Sequence, residues 1–396
     1  MLEPSTWRRI PRSIWALGFV SLLADVASEM VHSLLPVYLL TLGASVALIG
    51  LIEGVAEATA LMVKVFSGVL SDRLGKRKPL VLLGYALGAA SKPLFALAGG
   101  AGMVFGARII DRIGKGIRGA PRDALVADLA PPDLRGAAFG LRQSLDSVGA
   151  FIGPLLAIVL MLAWQDDFRA VFWAAAVPGS LAVALLLFGV REPVADRSVP
   201  RSNPISRANL ARLGSDYRWV VAIGAAFTLA RFSEAFLVLR VQQGGLPMAW
   251  VPLVLVAMNV VYAGLAYPFG RLSDRVSHTR LLAAGLVVLM LADAMLAWSN
   301  HWTWAWAGIT LWGVHMAMTQ GLLASMVAGT APADLRGTAF GVFNLVSGVA
   351  MLFASVLAGL LWDRFGAAST FIAGAAIAGL ALMLLLLRER VDRTRS

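Results

Sequence analysis

The chain has no cysteine, so neither a disulfide nor a thiolate metal site can form, and cysteine usage says nothing about redox compartment. Charge is scarce as well: 14% of the 396 residues are Asp, Glu, Lys or Arg, and only four are His. A typical soluble domain is about a quarter charged residues. None of the metalloprotease, P-loop or Gly-x-Ser-x-Gly spacings occurs, so no enzyme and no cofactor is expected. What is abundant is apolar surface, at 59% hydrophobic residues and a mean hydropathy of +0.76. No soluble core needs that much, and lipid is the expected solvent. The net charge of +11 sits in short segments between apolar runs rather than in a patch interleaved with aromatics. It therefore speaks for membrane orientation and against nucleic acid.

A run in lipid must satisfy its own backbone, so each is read as a helix. Twelve are expected, near 13–40, 45–71, 78–98, 102–128, 136–163, 169–190, 218–241, 247–273, 280–299, 302–328, 337–361 and 367–387. The fold class that follows is an all-α integral membrane protein, twelve transmembrane helices in two pseudo-symmetric six-helix bundles. The expected division is 1–190 for the first bundle, 191–217 for a linker rich in Arg, Ser and Pro, and 218–396 for the second. Bases concentrate after the second, fourth, eighth and twelfth runs and in the linker. By the positive-inside rule both termini are expected in the cytoplasm.

The two halves repeat each other. Gly68-Val-Leu-Ser-Asp72-Arg73 returns as Gly270-Arg-Leu-Ser-Asp274-Arg275, and Ala130-Pro-Pro-Asp133-Leu-Arg135-Gly136 returns as Ala331-Pro-Ala-Asp334-Leu-Arg336-Gly337. Duplication of a membrane unit is how many secondary transporters are built. Gly68-Val-Leu-Ser-Asp72-Arg73-Leu-Gly75-Lys76-Arg77 resembles the signature loop of the major facilitator superfamily, and the resemblance runs along essentially the whole chain. It implies a cytoplasmic conformational latch made by this loop and its copy at Asp274-Arg275, with the acid near a helix N-terminus. Arg108, Asp111, Gly114, Gly116 and Arg118 in the fourth run are similar to the family's arginine motif, with Asp111 where many relatives have Gln. Gly140, Gly149, Gly153 and Pro154 in the fifth resemble the Gly-rich motif of proton-driven antiporters, which implies export. Leu23-Ala-Asp25-Val-Ala-Ser28-Glu29-Met30 and the stretch from Asp111 to Ala124 resemble a bacterial subgroup labelled drug or nickel-resistance permeases.

Charges inside the runs carry the remaining chemistry, because each unpaired charge at the bilayer centre costs about 2.5–3.5 kcal/mol. The first half holds Asp25, Glu29, Glu53, Glu57, Asp111, Asp123 and Asp146 against Lys64, Lys92, Arg108, Arg112, Lys115, Arg118, Arg122 and Arg142. The two near-equal sets are expected to pair extensively. Helical spacing puts Asp25, Glu29, His32 and Pro36 on one stripe of the first run and Arg108, Arg112, Lys115, Arg118 and Arg122 on one stripe of the fourth. Shifted by the repeat, Glu29 falls on Arg231 and His32 on Glu234. The residues expected to couple substrate and protons are therefore Asp25, Glu29, His32, Glu57, Arg112, Lys115, Arg231 and Glu234, with Glu29 first.

The reading that results is a proton-coupled, alternating-access exporter of a small charged or amphiphilic organic compound, acting as a monomer. Two alternatives stand beside it. In one, Asp25, Glu29 and His32 serve a divalent metal or metal chelate, although the neighbouring bases repel a bare cation. In the other, the basic stripe guides a lipid headgroup and the chain is a flippase.

Overall fold

In a computed structural model the chain is all-helical. The structure describes residues 9–192, 210, 212–273, 275–332 and 335–395, and of 72, 73 and 388–395 the backbone alone. Most of the linker, Asp274 and Asp334, and the side chains of Asp72 and Arg73, thus lie outside the described residues. Twelve spans follow one another. The first six are α1 (Arg12–Thr41), α2 (Val46–Leu74), α3 (Lys78–Ala96), α4 (Ala101–Leu129), α5 (Arg135–Ala163) and α6 (Phe168–Gly189). The second six are α7 (Ser215–Gln243), α8 (Met248–Ser273), α9 (His278–Trp298), α10 (Trp302–Thr330), α11 (Arg336–Phe365) and α12 (Ala367–Leu387). Among the described residues ten helices are long and apolar enough to cross a membrane. The two that fall short are α4, with its buried charges, and α10, with its indoles, His315 and Gln320. They are the fourth helix of each half.

Local chemistry sets the helix ends. Gly75 closes α2 in the left-handed region (φ 66°), where a Cβ would be strained, and its N–H donates to Ser71 O at 3.1 Å. Asp167 caps α6 by accepting from Ala170 N at 3.1 Å, and Ser277 caps α9 by accepting from Arg280 N at 3.3 Å. α1 is interrupted at Ser33–Leu34, just before Pro36, which has no N–H to offer. α7 is interrupted at Arg231–Glu234, the positions that the repeat aligns with Glu29 and His32.

By their contacts the residues form two units, 1–42 with 59–203 and 43–58 with 204–396. In the first, α1 packs on α5 and α6, and α3 on α4 and α6. Its core runs from Ile14 and Leu17 through Val81 and Tyr85 to Leu125, Leu141 and Leu186. In the second, α9 packs on α10 and α12, α8 on α10, and α7 on α11 and α12. Segment 43–58, the first half of α2, belongs with this unit because α11 holds it closely. A Cβ on Gly50 would stand 2.2 Å from Ser355 O, and one on Gly359 would stand 2.7 Å from Val46 O. Asp363 of α11 caps the start of α2, accepting from Val46 N at 3.1 Å and Ala47 N at 2.9 Å. Losing such a cap costs about 1 kcal/mol. Asp363→Ala is therefore expected to lower the thermal midpoint of the purified protein modestly, and Asp363→Asn by less.

Large apolar side chains remain uncovered on both units, among them Phe188, Trp298, Trp304, Tyr267 and Phe365. Trp298 and Trp304 stand at helix ends, the position of the aromatic belt at a lipid–water boundary.

Candidate functional site

The densest polar construction in the first unit is centred on Asp111. Its Oδ1 accepts from Lys92 Nζ at 2.7 Å and from Ser91 Oγ at 3.4 Å, both on α3. Its Oδ2 accepts from Arg112 at 3.0 Å (Nε) and 2.7 Å (Nη2), and Arg108 Nη1 lies 4.0 Å away. All four charged groups are buried, at 1–3% exposure. Two glycines make the arrangement possible. A Cβ on Gly84 would meet Gly114 O at 2.6 Å, and a Cβ on Gly114 would meet Gly84 O at 2.6 Å. α3 and α4 thus cross backbone to backbone and bring Lys92 to Asp111.

A second chain of contacts links α1, α3, α4 and α5. Asp25 lies 4.0 Å from Arg118, whose guanidinium covers the Tyr85 ring at 4.4 Å. The Tyr85 hydroxyl stands 3.2 Å from Ser21 Oγ, which also accepts from Arg122 Nη1 at 3.3 Å. Arg122 then reaches Asp123 (3.4 Å) and Asp146 (3.9 Å), and Arg142 pairs with Asp146 and lies 3.8 Å from Asp123. Sequence spacing placed these charges inside the helices and set Arg122 on the basic stripe of α4, but did not single out Lys92, Tyr85 or Asp146 as parts of the site. Their common signal was ionisable or hydroxylated residues within apolar runs.

The α1 stripe divides. Glu29 Oε2 sits 3.5 Å from His32 Nδ1, whereas Asp25 turns to Arg118. The three residues therefore do not make one ligand set, and among the described residues no group of three His, Cys, Asp or Glu is placed to hold a metal ion. Glu29 and Asp25 keep 21% and 25% of their side chains accessible, and Lys115 is exposed. Arg112, expected to face those acids, gives Nε and Nη2 to Asp111 and also stands among the charged neighbours of Glu29. In the second unit Arg231 and Glu234 occupy the break in α7, where Arg231 has Glu234, Tyr262 and Glu57 as its charged or ionisable neighbours.

The helix-5 glycines behave differently from one another. A Cβ on Gly149 would stand 2.5 Å from Leu22 O, and one on Gly153 would stand 2.8 Å from both Val26 O and Glu29 Cβ. Gly140 has open space around it. Gly149 and Gly153 set the α1–α5 approach, with Pro154 inside the same helix. In the signature loop, Arg77 pairs with Asp128 at the end of α4. Its neighbour Lys78 donates to the carbonyls of Leu187 (2.9 Å) and Val190 (2.7 Å) at the end of α6. Glu192 accepts from the N–H groups of Arg77 and Lys78. The loop is thereby tied to two helix ends of its own unit. Lys76 and Arg275 are exposed.

The sequence model of the Major Facilitator Superfamily matches residues 17–355 and, again, 247–396. The chain belongs to that superfamily. An uncharacterised MFS-type transporter of Methanocaldococcus jannaschii is 32% identical over 388 residues, covering 96% of this chain and 95% of that one. The inner membrane transport protein YajR of Escherichia coli is 26% identical, over 94% and 82% of the two chains. Among solved structures, the nucleoside transporter NupG superposes with a TM-score of 0.79 at 13% identity, over 94% of this chain and 99% of that one. This last likeness is one of fold. The superfamily membership makes the chain a multi-pass membrane transporter of small molecules, not an enzyme.

Proposed function

We propose that this superfamily member exports a small organic compound bearing negative charge, in exchange for protons, as a monomer with both termini in the cytoplasm. The observation that carries the cargo class is the excess of buried cations in the first unit. Lys92, Arg108, Arg112 and Arg118 are all buried, and Asp111 is the buried carboxylate among them. Such a centre attracts a carboxylate, sulfonate or phosphate and repels a bare divalent cation. The export direction is supported by Gly149 and Gly153, which place α5 against the Glu29 segment of α1 in the manner of the antiporter motif.

Glu29 carries the proton in this reading. It is accessible, it lies beside His32, and it stands at the α5 contact that a moving helix disturbs. Arg112, Lys115 and Asp25 set the field around it, and Arg231, Glu234 and Glu57 form the corresponding charged group of the second unit. The latch residues Gly68, Asp72, Arg73, Gly75, Lys76 and Arg77, with Asp274 and Arg275, govern the change of state.

Proteoliposomes holding a pH-sensitive dye under an imposed proton gradient test this. Organic anions are expected to discharge the gradient, while organic cations and divalent metals leave it standing; Glu29→Gln is expected to abolish the discharge. A metal that collapses the gradient overturns the cargo class. A Glu29→Gln protein that matches the parent at every pH removes Glu29 from the coupling.

A further inference from the structure

Asp293 of α9 is a wholly buried acid of the second unit. It has no solvent exposure. Its Oδ1 accepts a hydrogen bond from Trp312 Nε1 at 3.2 Å, and among the described residues nothing donates to Oδ2. The Phe232 ring of α7 packs against Trp312 and against Phe371 of α12, at 5.9 and 5.5 Å between centroids. The surroundings are thus aromatic on three helices. Oδ2 points at α12 where there is no side chain: a Cβ on Gly374 would stand 2.6 Å from Oδ2, 3.0 Å from Phe232 and 3.3 Å from Ala230 O. Among the described residues no Lys, Arg or His forms an ion pair with Asp293.

The charged and titratable groups on the neighbouring helices are engaged elsewhere. His315 of α10 has Nδ1 2.8 Å from Gly285 O and stacks on Phe227. Arg240 of α7 donates to the carbonyls of Leu296, Ala297 and Ser299. Arg231 and Glu234 sit at the α7 break with Glu57 and Tyr262. The span Ala367–Leu387 of α12 contains no ionisable residue.

An ionised carboxylate in such a place keeps one neutral hydrogen bond in return for its whole hydration shell, and groups so placed neutralise instead. The Trp312 N–H must donate, so Oδ1 is the carbonyl oxygen and Oδ2 is left to bear hydrogen. We infer that Asp293 is a proton-binding site of the second unit, holding its proton on Oδ2 in this conformation under the lock of Trp312, Phe232 and Gly374. Release transfers that proton to water and leaves a carboxylate, which needs water or a cation beside it. The interruption of α7 supplies the route: Ala230 O and Phe232 flank the carboxyl, and Arg231 follows in extended backbone. The inference extends the proton-coupled reading to a second carrier, and it rests on that reading only for the use the transporter makes of the proton.

Infrared difference spectroscopy of the purified full chain in lipid, with no cargo and no gradient, tests the site itself. The parent is expected to show the carbonyl stretch of a protonated carboxyl in an apolar setting at neutral pH. That band should shift on exchange into heavy water and be lost completely in Asp293→Asn. Trp312→Phe, which retains the acid, is expected to keep the band but move it to higher frequency, because the carbonyl loses its donor; this variant carries the test if the Asn protein fails to fold. A band unchanged in Asp293→Asn, one that never responds to heavy water, or one unmoved by Trp312→Phe overturns the inference. The cargo assay with Glu29→Gln can fail without touching any of these spectra, so the two proposals stand or fall apart.

Discussion

Replacing Asp111 with Asn is expected to destabilise the protein by about 3–5 kcal/mol, the usual loss when one partner of a buried ion pair is removed. The carboxylate faces Lys92 at 2.7 Å, Arg112 at 2.7 Å and Arg108 at 4.0 Å, and every group in the cluster is almost wholly covered. Without the negative charge three cations face one another with little water to screen them. Thermal unfolding in detergent should show a large drop for Asp111→Asn and a partial recovery in the double change Asp111→Asn/Lys92→Met, which removes one orphaned cation. Asp25→Asn provides the contrast. That carboxylate is a quarter exposed and 4.0 Å from Arg118, so its loss should cost under about 1 kcal/mol. Equal losses for Asp25→Asn and Asp111→Asn would show that Asp111 is not the organising charge.

The second large effect is steric. Gly149→Val and Gly153→Val should each cost about 1–3 kcal/mol and sharply lower the yield of folded protein. The atoms that a side chain would strike are the backbone carbonyls of Leu22 and Val26, at 2.5 and 2.8 Å from the new Cβ, and backbone cannot swing aside as a side chain can. Gly140→Val, in the same helix and the same motif, meets nothing and should fold normally. Gly153→Ala is the informative intermediate. Its single methyl meets both the Val26 carbonyl and Glu29 Cβ at 2.8 Å, so it should lower stability less than Val does and also alter proton-driven activity. Fluorescence-detected gel filtration of the four variants side by side gives the folding result. Comparable behaviour of Gly140→Val and Gly149→Val would remove the argument that this motif sets the α1–α5 distance.

The membrane spans were legible because lipid forces a backbone to bond within its own helix, and apolar length is then a direct record of a span. The less apolar runs at 102–128 and 302–328 were read as helices in the same way. In the structure α4 and α10 are the two that fall short of the apolar test among the described residues. The charges within the runs were visible as a set, and their near balance foretold pairing, but the partners were not readable. Lys92 meets Asp111 only because Gly84 and Gly114 let α3 and α4 touch.

Sequence by itself therefore determined the solvent, the number and order of helices, the duplicated plan and the list of residues that must be neutralised. Each of these depends on local composition or on a fixed period along the chain. The tertiary structure alone decided that Asp25 serves Arg118 while Glu29 keeps His32, that Gly149 and Gly153 are contact points and Gly140 is not, and that residues 43–58 stand with α11. It also left Asp293 without a cation among the described residues. Those outcomes rest on distances of a few ångströms between helices far apart in sequence, and electrostatic and steric energies change steeply over just that range.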